Sequence, residues 1–203
     1  MPELADDDRA PASDERRRRI LAAALAAFDE LGYDDATIAD IRDRSGASTG
    51  SIYHHFGSKE GIAAALYEEV LARYRAGLLE RVERTRSARS LVRGIVLYHL
   101  DWAARHPAWA RYLLRMRHAD GVLEREEALR RGTRDFLRRM QARIDPHVER
   151  GEIVALPAAL YPLVIIGPAQ DMIRHWLAGR LALDPRAVAD TLADLAWKAL
   201  RPE

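Results

Sequence analysis

Apolar residues recur every three or four positions along most of this chain, and the alternating apolar–polar runs typical of strands are nearly absent. Ile20, Ala24, Phe28 and Leu31 give the first example, and Gly32 follows at the place of a left-handed helix stop. The pattern predicts an all-α protein of about nine helices. Their approximate bounds are 14–31, 37–44, 48–56, 59–84, 87–105, 107–118, 121–144, 157–177 and 185–200.

Proline residues set four of these bounds, and Pro107 is predicted to open the sixth helix. Asp145-Pro146 is predicted to stop the seventh helix, because proline lacks the N–H that a helix interior needs. Pro157 is predicted to open the eighth helix. Asp184 followed by Pro185 has the pattern of an N-cap and a first helical residue, so it predicts the start of the ninth.

Two short predicted helices meet at a tight turn. Thr37 has the position of an N-cap, and Asp40 stands three residues later, as in a capping box. Gly46 is predicted to end this helix, and Ser48 to cap the next. Together with the first helix they form a helix-turn-helix arrangement, in which the second short helix enters the major groove of DNA.

The second short helix lies in the segment SGASTGSIYHHFGSKEGI, residues 45–62, which is rich in small polar residues. Small side chains at the start of a helix allow close approach to base edges and phosphates. The helix starts at Ser48 and Ser58 also direct backbone N–H groups toward anions. The alternative is a helical hairpin without a ligand, which requires several of these spacings to coincide.

Residues 16–62, RRRRILAAALAAFDELGYDDATIADIRDRSGASTGSIYHHFGSKEGI, resemble the DNA-binding domain of the tetracycline-repressor (TetR) family. The matching features are an arginine-led first helix, F-x-x-x-G-Y at 28–33, T-I-x-x-I at 37–41, S-G-A-S at 45–48 and S-I-Y-x-x-F-x-S-K-E at 51–60. The resemblance implies a homodimeric transcription regulator, most often a repressor. Such a protein leaves its palindromic DNA operator when a small molecule binds the C-terminal domain.

The resemblance also implies roles for single residues. Thr37 and Lys59 are expected to contact phosphate, each at a helix start, and Tyr53 and His54 to contact phosphate or a thymine methyl. Gly50 is expected to permit close approach. The predicted DNA-binding set is Thr37, Ser48, Thr49, Gly50, Ser51, Tyr53, His54 and Lys59.

One position departs from the family pattern in a way that bears on DNA binding. The family usually has a small residue where this chain has Arg42, whose side chain can extend outward or reach the DNA backbone. The start of the recognition helix has no arginine or asparagine, so the base sequence of the operator is not predicted.

The chain is predicted to divide into three parts. Residues 1–13 are short and acidic with two prolines, which predicts a disordered tail. Residues 14–60 form the predicted DNA-binding domain, and residues 61–203 the predicted ligand-binding and dimerisation domain.

Bulky aromatic and thioether side chains recur through the predicted C-terminal helices. Each one alone is core by default, but the family binds a ligand in this domain, which favours a shared pocket. Such pockets are mostly apolar with a few polar groups, for which His99, Asp171 and Arg174 are candidates. The expected effector is flat and apolar or aromatic. The predicted ligand-binding set is Tyr98, His99, Trp102, Trp109, Tyr112, Met116, Phe136, Met140, Ile165 and Met172.

The last two predicted helices also suggest a dimer interface. The segment LYPLVIIGPAQDMIRHWLAG is apolar over much of its circumference, so its helix is expected to be buried on more than one side. Packing within one chain is the alternative; a four-helix contact with a second copy is favoured by the resemblance. The predicted interface set is Ile166, Ile173, Trp176, Val188, Leu192, Leu195 and Ala196.

Composition and charge reduce the number of function classes that the chain could belong to. Hydrophobic residues make up 48% and charged residues 31% of 203, an ordinary globular composition, and the net charge is +1. A nucleic-acid-binding protein with so small a net charge must separate its positive and negative side chains on different parts of its surface. Cysteine is absent, which excludes a thiolate nucleophile and fits a reducing cytoplasm. No apolar run reaches the roughly 18 residues of a membrane span, and the acidic N-terminus predicts no signal peptide.

Two further function classes stay open at this point. One is a helical enzyme that uses His99, Asp101 or Asp171 as acid or base, although no nucleophile–base spacing or phosphate loop supports it. The other is an architectural DNA-binding protein without an effector. Adjacent His54 and His55 point about 100° apart on a helix, so no metal site is predicted, and no cofactor is expected.

Overall fold

The computed structural model describes residues 12–116 and 127–203 of the chain. These residues form helices and no strand, which confirms the all-α prediction. The predicted tail lies outside them as far as residue 11, and Ala12 and Ser13 already belong to the first helix. The described helices are α1 (Ala12–Leu31), α2 (Ile38–Ser45), α3 (Thr49–Phe56), α4 (Lys59–Glu83), α5 (Ala88–Arg105), α6 (Pro107–Met116), α7 (Glu127–Glu149), α8 (Leu160–Leu177) and α9 (Ala189–Leu200).

Helix α7 does not stop where the sequence predicts. It passes through Pro146 and ends at Glu149, beyond the predicted stop at Asp145-Pro146. Proline lacks the N–H that would bond the carbonyl of Ala142, but Ala142 and Pro146 are both exposed, so water can replace that bond. The prediction of a stop at Asp145-Pro146 is therefore wrong.

The predicted starts of the last two helices are also too early. The Leu160 N–H donates to the Pro157 carbonyl at 2.8 Å, which makes a turn, and α8 begins only at Leu160. Asp184 accepts from the Arg186 N–H at 2.8 Å, and α9 begins only at Ala189, without a side-chain cap. In both places the local signal forms a single turn ahead of the helix.

The described residues divide into two compact units. The first unit contains the described residues up to Leu71, those from Ala108 to Met116, and Glu127; the second contains Ala72–Pro107 and Ala128–Glu203. Helix α4 therefore contributes residues to both units. No described helix is both long and apolar enough to span a bilayer.

In the first unit, α6 is fixed by specific contacts as well as by apolar packing. The Tyr112 ring stacks on Phe28 with centroids 6.0 Å apart, and its hydroxyl donates to the Ala63 carbonyl at 2.7 Å. Arg111 donates two hydrogen bonds, 2.7 and 2.8 Å long, to the Asp29 carboxylate, and these bonds lower the Asp29 pKa. Bidentate pairs of this kind fix geometry as well as charge.

The apolar centre of the first unit matches the sequence pattern with one clear exception. Leu31, the last apolar residue of the α1 stripe, is 38% exposed. Helix ends extend past the core they pack on, so the last residue of a stripe is the first to reach solvent. The buried set includes Ile20, Leu21, Leu25, Phe28, Ile41, Ile52, Ile62 and Leu66.

The second unit is built on α5, which packs against both α8 and α9. Arg93 on α5 bridges to Asp190 and Asp194 on α9. The Val154 N–H donates to the Leu200 carbonyl at 2.9 Å and fixes the end of α9. The buried apolar set includes Leu78, Leu91, Ile95, Leu100, Ile165, Ile173, Ala193 and Leu200.

Candidate nucleic-acid interface

Thr37 closes the start of α2 as the sequence predicts. Its hydroxyl oxygen accepts from the Asp40 N–H at 3.2 Å, while the Asp40 carboxylate accepts from the Thr37 N–H at 2.8 Å. The Thr37 hydroxyl also donates to that carboxylate at 2.6 Å, and these bonds lower the Asp40 pKa. This capping box leaves Thr37 exposed at the helix start.

The turn between α2 and α3 is set by glycine and serine. Gly46 has φ 66° and ψ 11°, a left-handed conformation that glycine adopts without strain, and its N–H donates to the Arg42 carbonyl at 2.9 Å. Ser48 then accepts from the Ser51 N–H at 3.1 Å as the N-cap of α3. The helix-turn-helix geometry therefore comes from interactions within a few residues.

Each of the two short helices packs into the apolar centre of the first unit through one buried isoleucine. Ile41 on α2 and Ile52 on α3 are fully buried, whereas Tyr53, the neighbour of Ile52, is 50% exposed. Since adjacent helical residues lie about 100° apart, burial of Ile52 leaves Tyr53 on the outer side. His54 is exposed as well.

The first turn of α3 consists of small and accessible residues. Ser48, Thr49 and Gly50 are exposed, and Ser51 is half-buried beneath them. A Cβ built on Gly50 would meet no atom within 4 Å, so packing within the chain does not require glycine there. The absence of a side chain at Gly50 leaves the helix backbone open to a close partner.

Lys59 is engaged inside the protein, which the sequence does not indicate. Its ammonium donates to the carbonyls of Tyr33, Asp34 and Ala36 at 2.9, 3.0 and 3.0 Å. It also lies 4.8 Å from the centre of the Tyr33 ring. All three N–H donors thus have protein acceptors, and a phosphate contact would have to share or replace them.

The arginines nearby are paired too. Arg42 is exposed and donates to Asp43 at 2.8 Å, and Arg44 pairs with Glu30 across α1 and α2 at 2.5 Å. Arg17 pairs with Glu69 at 3.2 Å. The Arg17 pair involves the arginine run of the first helix, and exposed pairs such as Arg42–Asp43 exchange readily with other anions.

The predicted ligand-binding residues do not all lie in one unit. Trp109, Tyr112 and Met116 on α6 are buried in the first unit, where Tyr112 makes the contacts described above. The other members lie in the second unit: Tyr98, His99 and Trp102 on α5, Phe136 and Met140 on α7, and Ile165 and Met172 on α8. Asp171 and Arg174 are exposed on α8 and pair with each other.

An aromatic cluster in the second unit gathers around Tyr74 of α4. We use the name Tyr74 cluster for Tyr74, Tyr98, His99 and Trp102. The Tyr74 ring centroid lies 5.6, 5.7 and 5.1 Å from those of the other three. Tyr98 donates to the Tyr74 carbonyl at 3.1 Å. The predicted set contains the three α5 residues but omits Tyr74, because only the packing of α4 on α5 shows it.

The predicted interface residues of α8 and α9 differ in exposure. Ile173 and Ala196 are buried by the chain's own packing, whereas Leu195 is 53% exposed; Ile166, Trp176, Val188 and Leu192 are half-buried. Leu163 on α8, outside the predicted set, is 64% exposed. These two leucines give α8 and α9 exposed apolar surface. Among the residues that the structure describes, no three acidic or histidine side chains group as a metal site.

Comparison with known proteins gives a family match at the N-terminal part. Residues 20–66 match the family model of bacterial regulatory proteins, tetR family. The HTH-type transcriptional regulator BetI of Escherichia coli is 42% identical over 67 residues, which cover 33% of this chain and 34% of BetI. The match thus spans about a third of that relative's length.

Solved structures are similar over nearly the whole chain. A TetR family transcription regulator from Marinobacter aquaeolei matches with a TM-score of 0.79 at 17% identity and covers 94% of this chain and 97% of that one. The regulator FadR from Bacillus subtilis, solved in complex with stearoyl-CoA, matches with a TM-score of 0.74 at 20% identity and covers 88% and 96%. At these identities the similarity shows a shared fold.

Proposed function

The chain belongs to the TetR family, and we propose that it is a DNA-binding transcriptional regulator that responds to a small molecule. We propose residues 14–60 as the reading domain and residues 61–203 as the domain that binds the effector and dimerises. Bacterial DNA lies in the cytoplasm, so we expect the protein to act there.

The first turn of α3 is the observation that supports DNA binding most directly. Ser48, Thr49 and Gly50 are exposed, the fold does not require glycine at Gly50, and Tyr53 and His54 follow on the accessible side. A helix with this start fits a major groove, where small groups approach bases and larger ones reach phosphates. Two copies place two such helices about one DNA turn apart, roughly 34 Å, on a palindromic site.

Dimerisation is proposed through α8 and α9. Exposed Leu163 and Leu195 supply apolar surface on the two helices, and a two-fold contact would bury both from each copy. A dimer also compensates for the low net charge, because two DNA-binding domains of modest affinity on one site bind far more tightly than one.

We propose that the protein is a repressor with two states in equilibrium, one bound to its operator and one released from it. The effector shifts this equilibrium. The effector must bind the released state more tightly, and a tenfold loss of DNA affinity needs about 1.4 kcal/mol of coupling. Helix α4 contributes to both units, starting at Lys59 and including Tyr74 further along, so we propose it as the connecting element. The stearoyl-CoA bound to Bacillus subtilis FadR supports an effector with a large apolar part.

Selection of bound fragments from the host genome by purified protein, at two salt concentrations, tests DNA binding. A recovered palindrome whose half-sites lie about one turn apart, with affinity that falls with salt, is the expected result. Recovery of no preferred site would contradict the proposal.

Replacement of Tyr53 by Ala tests the placement of α3 on that fragment. We expect roughly a tenfold or larger loss of affinity at an unchanged melting temperature, because Tyr53 is half exposed and supports no core. Leu137→Ala, a change of a large exposed side chain on α7, is the control and should leave affinity unchanged. Equal affinity of Tyr53→Ala and wild type would exclude this placement.

A further inference from the structure

The recognition helix α3 has none of the side chains that usually distinguish guanine or adenine. Arginine and lysine make paired hydrogen bonds to guanine, and asparagine and glutamine make them to adenine. Residues 45–58, which include the turn and all of α3, contain none of these four residue types. The chain has no asparagine at all, and its two glutamines, Gln141 and Gln170, lie in the second unit. Recognition of a base by α3 therefore needs another kind of contact.

The positively charged side chains near α3 lie on other helices. Lys59 at the start of α4 donates to three backbone carbonyls, and Arg17 on α1 pairs with Glu69. Arg42 and Arg44 belong to α2, the helix that crosses the DNA backbone in a helix-turn-helix. Charges in these places suit phosphates, which position a protein on DNA but do not distinguish one base from another.

Thr49 is the exposed side chain of the first turn of α3 whose chemistry can distinguish a base. Ser48 caps the helix, Gly50 has no side chain, and Ser51 is half-buried. A serine or threonine hydroxyl both donates and accepts, so it bonds to several base edges alike. Thr49 carries a γ-methyl group as well, and in the major groove the methyl group of a base pair belongs to thymine.

The position of Thr49 gives this methyl group access to base edges. Thr49 is the first residue of α3 and is exposed, and the next residue, Gly50, has open space around it. A helix-turn-helix contacts base edges with the N-terminal residues of its recognition helix. Tyr53 and His54 lie one turn further on, about 6 to 8 Å along the helix axis, where they can reach the DNA backbone.

We propose that the γ-methyl group of Thr49 contacts the C5-methyl group of one thymine in each operator half-site and is the main source of base recognition by α3. This inference rests on the proposed function and adds a chemical class of operator, distinguished by thymine methyl groups and not by hydrogen bonds to purines. Contact between two methyl groups removes apolar surface from water, and cytosine at the same position has no methyl group to make it.

Deoxyuridine tests the methyl group of the DNA alone. The probe is the duplex recovered from the genomic selection, with deoxyuridine in place of thymidine at one position at a time, titrated with the full chain. We expect affinity to fall about fourfold at one thymine of a half-site and about fifteenfold when both half-sites are changed, as for one and two methyl groups removed from apolar contact. Deoxyuridine outside the half-sites is the matched control. 7-Deazaguanine and 7-deazaadenine, which lack the N7 acceptor, should leave affinity unchanged.

Two substitutions of Thr49 separate its methyl group from its hydroxyl. Thr49→Ser keeps the hydroxyl and removes the γ-methyl group, so thymidine and deoxyuridine duplexes should bind with equal affinity. Thr49→Val keeps the methyl group and replaces the hydroxyl, so the preference for thymidine should persist. Measuring each protein with each duplex removes any effect of deoxyuridine on the DNA itself. Thermal melting checks that both variants, changed at an exposed position, fold.

Three results would overturn the assignment. These are equal affinity of wild type for every deoxyuridine duplex, a thymidine preference that persists in Thr49→Ser, and a large loss of affinity with 7-deazaguanine. Each of them, obtained on a duplex that the protein prefers, contradicts the thymine contact alone and leaves the regulator function standing. Recovery of no preferred duplex contradicts both proposals.

Discussion

Lys59 and His99 are both ionisable side chains, but the fold surrounds them in opposite ways. At the start of α4, three backbone carbonyls surround the Lys59 ammonium at 2.9 to 3.0 Å, and every donor has a partner. In the middle of α5, His99 is buried with the Tyr74 hydroxyl 2.8 Å from its Nδ1, and burial lowers its pKa to about 4, so the ring is neutral near pH 7. The first arrangement keeps a charged group in the fold by giving every donor an acceptor, and the second keeps an ionisable group buried by leaving it uncharged. A residue's chemical type therefore does not reveal its charge state in the fold; its surroundings do.

The pH dependence of stability that comes from His99 should change the free energy of unfolding most. Its pKa is about 4 in the fold against 6.5 in an unfolded chain, so the unfolded state binds more protons between these values. This contribution to stability is fully present above pH 6.5 and is lost as pH falls toward 4. It amounts to about 3 kcal/mol at most, since one pKa unit is about 1.4 kcal/mol.

Urea unfolding of wild type and His99→Gln at pH 7, 5.5 and 4.5 measures this contribution. The variant should lose less stability on acidification than wild type, while the control His175→Gln, whose side chain is 40% exposed, should follow wild type. If the unfolding free energies of His99→Gln and wild type fell in parallel with pH, His99 would be accessible to protons in the fold. The contrast with Lys59 would then be wrong.

An intermediate effect is expected from Lys59→Met, which keeps the length of the side chain and removes its three donors. The carbonyls of Tyr33, Asp34 and Ala36 lose a charged partner, so unfolding free energy should fall by about 2 kcal/mol. Lys198→Met, at an exposed position of α9, is the matched control and should be near neutral.

The same variant separates two roles for Lys59. If stability stays unchanged while the salt dependence of operator affinity weakens by about one phosphate contact, Lys59 serves DNA rather than the turn. A loss of stability with an unchanged salt slope supports the internal role.

The smallest effect is expected from the caps of the two short helices. Thr37→Ala removes both the bond from the Asp40 N–H and the bond to its carboxylate, whereas Ser48→Ala removes one bond from Ser51. We expect losses of about 1 kcal/mol for Thr37→Ala and less for Ser48→Ala in thermal unfolding. The reverse order would mean that the start of α3 depends on its cap more than α2 does.

Local sequence signals are enough to place the helix-turn-helix almost completely. Thr37 with Asp40, Gly46 and Ser48 act through bonds to residues three or four positions away, so the pattern alone places α2, the turn and α3. The alternation of buried Ile52 with exposed Tyr53 follows from helical period in the same way. The roles assigned to the DNA-binding set remain predictions.

Contacts between residues far apart in the chain cannot be read from local patterns. Lys59 meets carbonyls 23 to 26 positions away, and Tyr74 meets His99 25 positions away, so no local pattern shows either contact. The path of α7 through Pro146 is likewise permitted by solvent exposure, because water can replace the missing hydrogen bond. Capping and periodicity are local and can be read from sequence, whereas the satisfaction of a buried polar atom depends on which helices pack around it.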